Sequence, residues 1–130
     1  MKIGLYPMAA DILHTGHILA IEEAKNNCDY LIVALNCTPD NKTPIQSIYE
    51  RFIQLRAVKF IDEILPYQGR SDLEIIAKSF NYQIRFVGED YYGKDWDGKD
   101  IELQLQKQFY YLKRRHDFSS TNLKQRLKNY

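Results

Sequence analysis

The sequence predicts an α/β protein with a Rossmann-like, three-layer fold built on a five-stranded parallel sheet. Short apolar runs of strand length alternate along the chain with segments in which apolar residues recur at helical spacing. The clearest run, from Tyr30 to Leu35, is continuously apolar, as is typical of a parallel strand covered on both faces. With 130 residues, the chain is expected to form one domain, spanning residues 1–130, that can bury a sizeable core.

The first part of the chain predicts a strand, a helix and a second strand. Ile3 to Tyr6 is a short apolar run that we expect to form a buried strand ending at Pro7. His17 to Asn26 has helical spacing and is followed by the strand from Tyr30 to Leu35. The three elements form a βαβ unit, whose crossover is right-handed almost without exception.

Two more helix–strand pairs follow a polar, proline-bounded loop at residues 38–44. Ser47 and Glu50 have the spacing of a capping box and predict the start of a helix. Apolar residues line one face of that helix, namely Ile48, Phe52, Leu55 and Val58. Ile61 to Leu65 is expected to be the third strand. Ser71 and Glu74 repeat the capping-box spacing before a second apolar stripe formed by Leu73, Ile76, Ala77 and Phe80.

The last part of the chain predicts two strands, a loop and a final helix. Ile84 to Val87 is expected to be the fourth strand, closing on Gly88, and residues 89–99 have the composition of an exposed loop. Phe109 to Leu112 is expected to be the fifth strand. Ser119 or Ser120 would then cap a last helix ending near Lys128.

The most informative motif is the run His14-Thr15-Gly16-His17, at the predicted junction of the first strand and the first helix. Two histidines three residues apart lie on one face of a helical turn. The start of a helix also offers backbone N–H groups and the positive end of the helix dipole, which favour a phosphate. Gly16 allows a ligand to approach the backbone closely. The motif therefore predicts an anion site.

A second phosphate-binding pattern lies near the other end of the chain, at residues 114–121. It begins with Arg114 and ends with Ser119, Ser120 and Thr121, where the last helix is expected to start. Because ligands of parallel α/β sheets bind beyond the carboxyl ends of the strands, the two motifs are expected to meet there. Together they predict a nucleotide site assembled from both ends of the chain.

Composition excludes several other classes of protein. The formal net charge is +1, which argues against a general nucleic-acid binder. The segment from Lys113 onward is locally basic, since it contains six Lys or Arg residues and one acidic residue, Asp117. Cys28 and Cys37 have neither disulfide-framework nor zinc-ligand spacing and are expected to be reduced thiols. No secretory signal or membrane-length apolar run is present in the sequence. We therefore expect a cytoplasmic protein without membrane or nucleic-acid partners.

The segment from Asp11 to His17 resembles the histidine–glycine–histidine (HxGH) motif of nucleotidyltransferases. The chain as a whole is similar to small bacterial cytidylyltransferases of the glycerol-3-phosphate cytidylyltransferase type. Further resemblance lies in residues 48–51, 61–66, 87–90 and 114–121. The resemblance implies that CTP and a phosphorylated acceptor give a CDP-linked product and pyrophosphate by direct in-line attack. It also implies Mg²⁺ and a homodimer.

The resemblance implies roles for individual residues. The expected catalytic residues are His14, His17, Lys42 and Arg114. The nucleotide site is expected to contain these four together with Ala9, Ala10, Gly16, Gly88, Asp90, Ser119, Ser120 and Thr121. The acceptor site is expected to contain Asp11, Arg51, Lys59 and Arg70. No residue is assigned to the metal.

The chain departs from the family pattern ahead of Asp11, where Met8, Ala9 and Ala10 replace a glycine, a small polar residue and a phenylalanine. Lys59 stands where an arginine is common, and the two cations are not equivalent at a bidentate contact. The acceptor and the choice between CTP and ATP therefore stay open. A nucleotide-binding regulatory protein without turnover is the alternative from another class. Oligonucleotide binding through the basic carboxyl-terminal helix is a third.

Overall fold

Five parallel strands form one sheet in the computed structural model, which describes residues 1–39, 43–113 and 120–129. The strands are β1 (Ile3–Met8), β2 (Tyr30–Asn36), β3 (Glu63–Tyr67), β4 (Ile84–Gly88) and β5 (Gln108–Leu112). The α-helices in the described residues are α1 (Thr15–Asn26), α2 (Ile48–Arg56), α3 (Gly69–Ser79), α4 (Lys99–Gln104) and α5 (Ser120–Lys128). The strand order is β3-β2-β1-β4-β5, and all four neighbouring pairs are parallel. The predicted α/β fold with a five-stranded parallel sheet is confirmed.

Helices cover both faces of the sheet, which gives the predicted three layers. Ile21 and Ala24 of α1 and Leu55 of α2 are fully buried and belong to the core on one face. Leu73 and Ile76 of α3 belong to the core on the other face. The interior strand β2, between β3 and β1, supplies both cores from a run of five buried residues, which explains its unbroken apolar sequence. Within the described residues, no helix is long and apolar enough to span a bilayer.

β1 is longer than predicted, because it continues through Pro7 to Met8. Pro7 is paired with Ala34 of β2, whereas the pairing of β1 with β4 has already ended at Leu5. Over its last residues β1 is therefore an edge strand on the β4 side. A proline, which lacks a backbone N–H, is tolerated in such a position.

Three other details of the predicted secondary structure were wrong: one strand boundary, one capping box and one missing helix. β3 begins two residues late, at Glu63, because Asp62 ends the preceding connection: its carboxylate accepts hydrogen bonds from the Leu31 amide at 2.8 Å and from Lys25 at 2.6 Å. The second predicted capping box is absent, since α3 begins at Gly69, ahead of Ser71. α4 was not predicted. It begins at Lys99, the last residue of the segment that was expected to be an exposed loop.

A buried polar cluster explains why α4 forms. Glu102 of α4 is 1% exposed and forms a 2.5 Å ion pair with Arg85 of β4 and a 2.6 Å hydrogen bond with the Tyr82 hydroxyl. Burial raises the pKa of Glu102, although the Arg85 guanidinium opposes that shift. Arg85 also lies over the Trp96 ring, with its Cζ 4.3 Å from the ring centroid. These contacts hold the polar segment 93–104 against the sheet, where apolar periodicity cannot reveal them.

We predict that Glu102→Ala destabilises the protein by about 3–5 kcal/mol, because it leaves the buried Arg85 guanidinium without its countercharge. Urea unfolding followed by circular dichroism measures the change. Glu74→Ala removes an exposed carboxylate that pairs with Arg70 at 3.5 Å and is the matched control, with an expected loss below about 1 kcal/mol. The double variant Arg85→Met/Glu102→Leu is expected to recover most of the lost stability. Equal losses in the two single variants would contradict this account.

Candidate active site

β1 and β4 are unpaired at the carboxyl ends of the strands, and the space between these unpaired ends is called the crevice. β1 pairs with β4 only at Gly4 and Leu5, whereas it pairs with β2 as far as Met8. β4 in turn pairs with β5 as far as Gly88. The two central strands therefore diverge over their last residues. This is also the point where the strand order reverses, and ligands of open α/β sheets bind at such switch points.

The predicted residues Gly88 and Asp90 lie at the β4 side of this crevice. A Cβ atom at position 88 would be 2.8 Å from Asp90 Oδ1, so glycine allows the Asp90 carboxylate to fold back over the strand end. On the β1 side, burial and the carboxylates of Asp90 and Glu23 raise the pKa of Tyr6 to about 12. The Tyr6 phenol therefore stays protonated at neutral pH.

His14 and His17 form a reciprocal cap at the start of α1. His14 is the N-cap residue, and its Nδ1 accepts a hydrogen bond from the Gly16 amide at 3.0 Å. His17 Nδ1 accepts a hydrogen bond from the His14 amide at 3.2 Å. The two imidazoles lie against each other, with ring centroids 3.9 Å apart. Histidines thus occupy the two positions that Ser or Thr and Glu or Gln take in a capping box.

The cap fixes the tautomer of both rings. A nitrogen that accepts a hydrogen bond from a backbone amide cannot itself carry a proton, so neutral His14 and His17 carry theirs on Nε2. Each ring then has its donor on the nitrogen remote from the backbone. The N-terminus of α1 adds the positive end of the helix dipole. The arrangement places the Nε2 side of both rings at the head of α1, and their predicted role in binding an anion stays a prediction.

Asp11 joins the β1–α1 loop to the segment before α2. Its two carboxylate oxygens accept hydrogen bonds from the amides of Ile45 and Gln46, each at 3.0 Å. The Gln46 side chain returns a bond, since its Oε1 accepts from the Ile12 amide at 2.7 Å. The loop that carries His14 is therefore held from both sides. Asp11, predicted as an acceptor-binding residue, is observed in this bridging role.

The pKa of Asp11 is lowered from its ordinary value of 3.8. Burial acts in the opposite direction, but the amides of Gln46 and Ile45 favour the carboxylate, and the charges of Lys124 and Arg51 add to them. Lys124 belongs to α5, so the last helix approaches the loop that leads into α1. This brings the carboxyl-terminal helix to the side of the histidine motif.

Arg51 of α2 was predicted to contact the acceptor substrate. In the structure its guanidinium donates hydrogen bonds to backbone carbonyl oxygens. Arg51 is 2% exposed, and its Nη1 donates hydrogen bonds to the carbonyl oxygens of Ala9 at 2.9 Å and Asn36 at 2.7 Å. A third contact, from Nη2 to the carbonyl oxygen of Cys37, is 3.4 Å long. Arg51 therefore ties together the backbone at the ends of β1 and β2. Its Nε is buried without a hydrogen-bond partner among the described residues.

The backbone of the β1–α1 loop is strained. Ala10 and Ile12 have positive φ angles of 56° and 49°, in the left-handed region that non-glycine residues rarely adopt. Ala10 is also 2% exposed and belongs to the core under the loop. Ala9, which like Ala10 was predicted to bind the nucleotide, presents its carbonyl oxygen to Arg51. The bonds made by Asp11, Gln46 and Arg51 stabilise this unfavourable conformation.

Several predicted residues lie elsewhere or outside the described residues. Lys42, Arg114 and Ser119 are not among residues 1–39, 43–113 and 120–129. Ser120 is described only as the first residue of α5, and Thr121 is exposed in its first turn. Their predicted phosphate contacts therefore stay predictions.

Two of the predicted acceptor residues are not brought to the histidines. Lys59 is exposed in the connection from α2 to β3, near the amino ends of the strands, whereas the crevice lies at the carboxyl ends. Arg70 is the second residue of α3, on the opposite face of the sheet from α1, and pairs with Asp100 at 2.8 Å. The structure does not bring these two residues together within the chain, and their predicted contacts with the acceptor stay predictions.

Among the described residues, no group of three or more His, Cys, Asp or Glu side chains could hold a metal ion. Mg²⁺ in phosphate-transfer sites commonly has one or two protein carboxylates and completes its coordination with phosphate oxygens and water. The crevice, with Asp90 at its edge, fits a metal that enters with a triphosphate better than it fits a resident ion. The thiols of Cys28 and Cys37 are half-buried and free.

The fold defines a doubly wound α/β protein of the Rossmann-like type, in which two capped imidazoles lie at the head of the first helix. The family model of cytidylyltransferase-like proteins matches residues 5–126. The chain belongs to this family and is a nucleotidyltransferase enzyme. The resemblance inferred from the sequence is confirmed.

Relatives and solved structures are consistent with the family. The chain is 31% identical over 121 residues to the glycerol-3-phosphate cytidylyltransferase of Staphylococcus aureus, covering 90% of this chain and 88% of that protein. It is 30% identical over 121 residues to the enzyme of the same name from Bacillus subtilis, covering 90% of each. A lipopolysaccharide core biosynthesis protein from Thermoplasma volcanium shares the fold, with a TM-score of 0.75 at 19% identity, covering 89% of this chain and 99% of that one.

Two structurally important residues near the site were not predicted. Gln46 follows the polar loop and precedes the capping Ser47, a position that suggests a loop residue and nothing more. Glu23 lies in the predicted first helix, and its carboxylate accepts a hydrogen bond from the hydroxyl of Tyr110 of β5, 87 residues away in sequence. Neither has a sequence signal, because the partners are brought together only by the fold.

We predict that His14→Ala destabilises the protein by about 1 kcal/mol, since it removes the acceptor of the Gly16 amide at the N-terminus of α1. His14→Asn keeps a capping oxygen and is expected to retain wild-type stability within about 0.5 kcal/mol. Chemical unfolding of the two variants makes the comparison. Equal destabilisation by alanine and asparagine would show that the cap is not what His14 contributes to the fold.

We predict that the stabilising effect of Asp11 depends on pH. Because its pKa is lowered in the folded protein, the carboxylate stabilises the fold above its ordinary value of 3.8, and this contribution disappears as the pH falls through the lowered pKa. Asp11→Asn is therefore expected to be less stable than the wild type at pH 7, by about 1 kcal/mol, and nearly equal to it at pH 2–3. Urea midpoints at both pH values test this. A difference that persists unchanged in acid would contradict it.

Proposed function

We propose that this enzyme transfers the CMP group of CTP to a small phosphorylated alcohol or sugar resembling glycerol 3-phosphate, with release of pyrophosphate. Two relatives are named glycerol-3-phosphate cytidylyltransferase, and each aligns with this chain over nearly its full length. The matches to bifunctional HldE proteins are different: that from Hyphomonas neptunium is 34% identical and covers 78% of this chain but only 22% of the relative. The matches over nearly the full length therefore favour the glycerol phosphate type of acceptor.

The reciprocal cap formed by His14 and His17 is the observation that carries the proposal. It leaves both rings with their protons on Nε2 and places them at the N-terminus of α1, beside the crevice between β1 and β4. An α-phosphate bound there would receive neutral N–H donors and the positive end of the helix dipole. Such donors stabilise charge that develops on phosphate oxygens during transfer.

The proposed reaction is a direct in-line attack. The phosphate of the acceptor is already largely ionised near pH 7, so the site does not need a strong base to generate the nucleophile. One acceptor oxygen forms a bond to the α-phosphorus of CTP while the bond from that phosphorus to the bridging oxygen of the pyrophosphate breaks. The protein then has to orient two anions and to stabilise the growing negative charge.

The remaining cations and hydroxyls are assigned from the sequence. In the proposal, Lys42 is a point charge near the phosphates, and Arg114 offers a planar fork to the departing pyrophosphate. Ser119, Ser120 and Thr121 supply hydroxyl groups where the last helix starts. The nearness of Lys124 on α5 to Asp11 supports the convergence of the two ends of the chain on one site.

Mg²⁺ is proposed to accompany the nucleotide, where it would neutralise charge on the triphosphate oxygens. Asp90 and its neighbour Gly88 border the crevice and are proposed to contact the nucleotide or its metal. The protonated Tyr6 phenol can donate a hydrogen bond on the β1 side of the same crevice. A homodimer and a cytoplasmic location stay predictions from the sequence and its resemblance.

The test is a pyrophosphate-release assay with CTP or ATP and a panel of phosphorylated acceptors, with Mg²⁺ present. We predict turnover with CTP and glycerol 3-phosphate or a related small alcohol phosphate. His17→Gln can keep the reciprocal cap, because Gln at this position accepts from the N-cap amide, but it loses the imidazole. We expect its kcat to fall about 10²–10³-fold with little change in stability, as for loss of one transition-state donor. His14→Asn is expected to behave in the same way.

The assay separates the alternatives. Turnover with ATP in place of CTP would identify an adenylyltransferase and correct the base. Nucleotide binding without pyrophosphate release from any pair would favour the regulatory protein. Full activity of both His17→Gln and His17→Ala would refute the role given to the histidines. Steeply salt-dependent oligonucleotide binding in a parallel titration would instead support a nucleic-acid partner.

A further inference from the structure

Glu23 connects the helix of the first motif to the strand that leads into the second. Its carboxylate accepts a hydrogen bond from the Tyr110 hydroxyl of β5 at 3.0 Å. Both carboxylate oxygens also lie 3.2 Å from the backbone amide of Lys113, the residue after β5. One side chain on α1 thus holds both a side chain and the main chain at the carboxyl end of β5.

The position of Glu23 on α1 relates it to the histidine motif. Gly16, Ala20 and Glu23 are spaced by four and three residues and therefore share one face of the helix. Glu23 lies six residues after His17, or about 9 Å along the helix axis. Because α1 is a rigid element, this distance relates the exit of β5 to the imidazoles at the head of the helix.

The hydrogen bond from the Lys113 amide to Glu23 sets the direction in which the chain leaves β5, and it adds little to the free energy of unfolding. Lys113 is exposed, so water can satisfy its amide when the carboxylate is removed. The contact with Glu23 forms only when the chain leaves β5 toward α1. The next residue in the sequence is Arg114, with which the second motif begins.

We propose that Glu23 is a positioning residue, which clamps the main chain to α1 at Lys113, the residue that precedes the second motif in the sequence. The inference rests on the proposed function, since it assigns to that motif a part in binding the nucleotide. Glu23 itself contacts neither substrate in this scheme. It acts on the enzyme through the main chain at the end of β5.

Steady-state kinetics with CTP tests the clamp. We expect Glu23→Ala to lower kcat/KM for CTP about tenfold and to leave KM for the acceptor unchanged, because a charge-assisted contact is lost on the nucleotide side only. Glu23→Gln keeps a carbonyl acceptor and is expected to recover activity to within about threefold of wild type. Glu22→Ala is the matched control, since it removes the same charge from the neighbouring residue of α1, and it is expected to have wild-type activity.

The effect of Glu23→Ala on kcat/KM, measured again in Arg114→Ala protein, shows whether Glu23 acts through the second motif. In Arg114→Ala protein, Glu23→Ala is expected to cause little further loss, because the group that it positions is already gone. The same tenfold loss in both backgrounds would overturn the proposal, as would wild-type kinetics of Glu23→Ala. Failure of glutamine to restore activity would likewise contradict a role as a hydrogen-bond acceptor.

Amide hydrogen exchange measured by NMR tests the clamp without turnover. The Lys113 amide is expected to be protected in the wild type and in Glu22→Ala, and to exchange faster in Glu23→Ala while the core of β2 keeps its protection. An unprotected Lys113 amide in the wild type would overturn the clamp whatever the kinetics show. If the wild type turned over no nucleotide, the proposed function would fail. The clamp would then be decided by this exchange and by a weaker CTP affinity of Glu23→Ala in calorimetry, with equal affinities refuting it.

Discussion

The site depends on the point at which the ladder between β1 and β4 stops. The two strands pair at Gly4 and Leu5 and then diverge, although each continues to pair with its outer neighbour. The paired part is closely packed, since a Cβ at Gly4 would clash with a ring carbon of Phe86 in β4. The divergence opens a crevice at the head of α1, and it leaves β1 with a free side on which Pro7 is tolerated.

The crevice requires an unfavourable backbone path from β1 into α1. Two residues of this loop have positive φ angles, and the β-branched Ile12 is one of them. Hydrogen bonds from distant parts of the chain offset the strain: Gln46 accepts from the Ile12 amide, and Arg51 donates to the Ala9 carbonyl. α2 therefore stabilises the loop that presents the histidines, in addition to covering one face of the sheet.

The sequence predicted what depends on local pattern. Periodicity revealed the succession of the strands and main helices along the chain. The spacing of Ser47 and Glu50 predicted a capping box that the structure contains. Periodicity did not reveal α4, because that helix lies in a polar segment and is held by the buried pair that its Glu102 forms with Arg85 of β4. Charged residues in a hydrophilic sequence suggest a solvated loop, and only the tertiary structure shows that Glu102 has a buried partner in a strand.

The same limit applies to the site. Spacing predicted that His14 and His17 share a helical turn, but their roles as mutual caps follow from the direction of two backbone amides. Arg51 and Lys59 are only eight residues apart, yet α2 carries the chain from one end of the sheet to the other between them. Arg51 consequently bonds the carbonyls at the ends of β1 and β2, while Lys59 lies near the amino ends of the strands.

Each histidine has a structural and a chemical role on opposite nitrogens of one ring. Nδ1 completes the N-terminus of α1, and that bond keeps the proton on Nε2, where a phosphate would need it. In the proposed function the histidines therefore donate from Nε2, and the positive charge around the triphosphate comes from the helix dipole, from Lys or Arg side chains and from the proposed Mg²⁺.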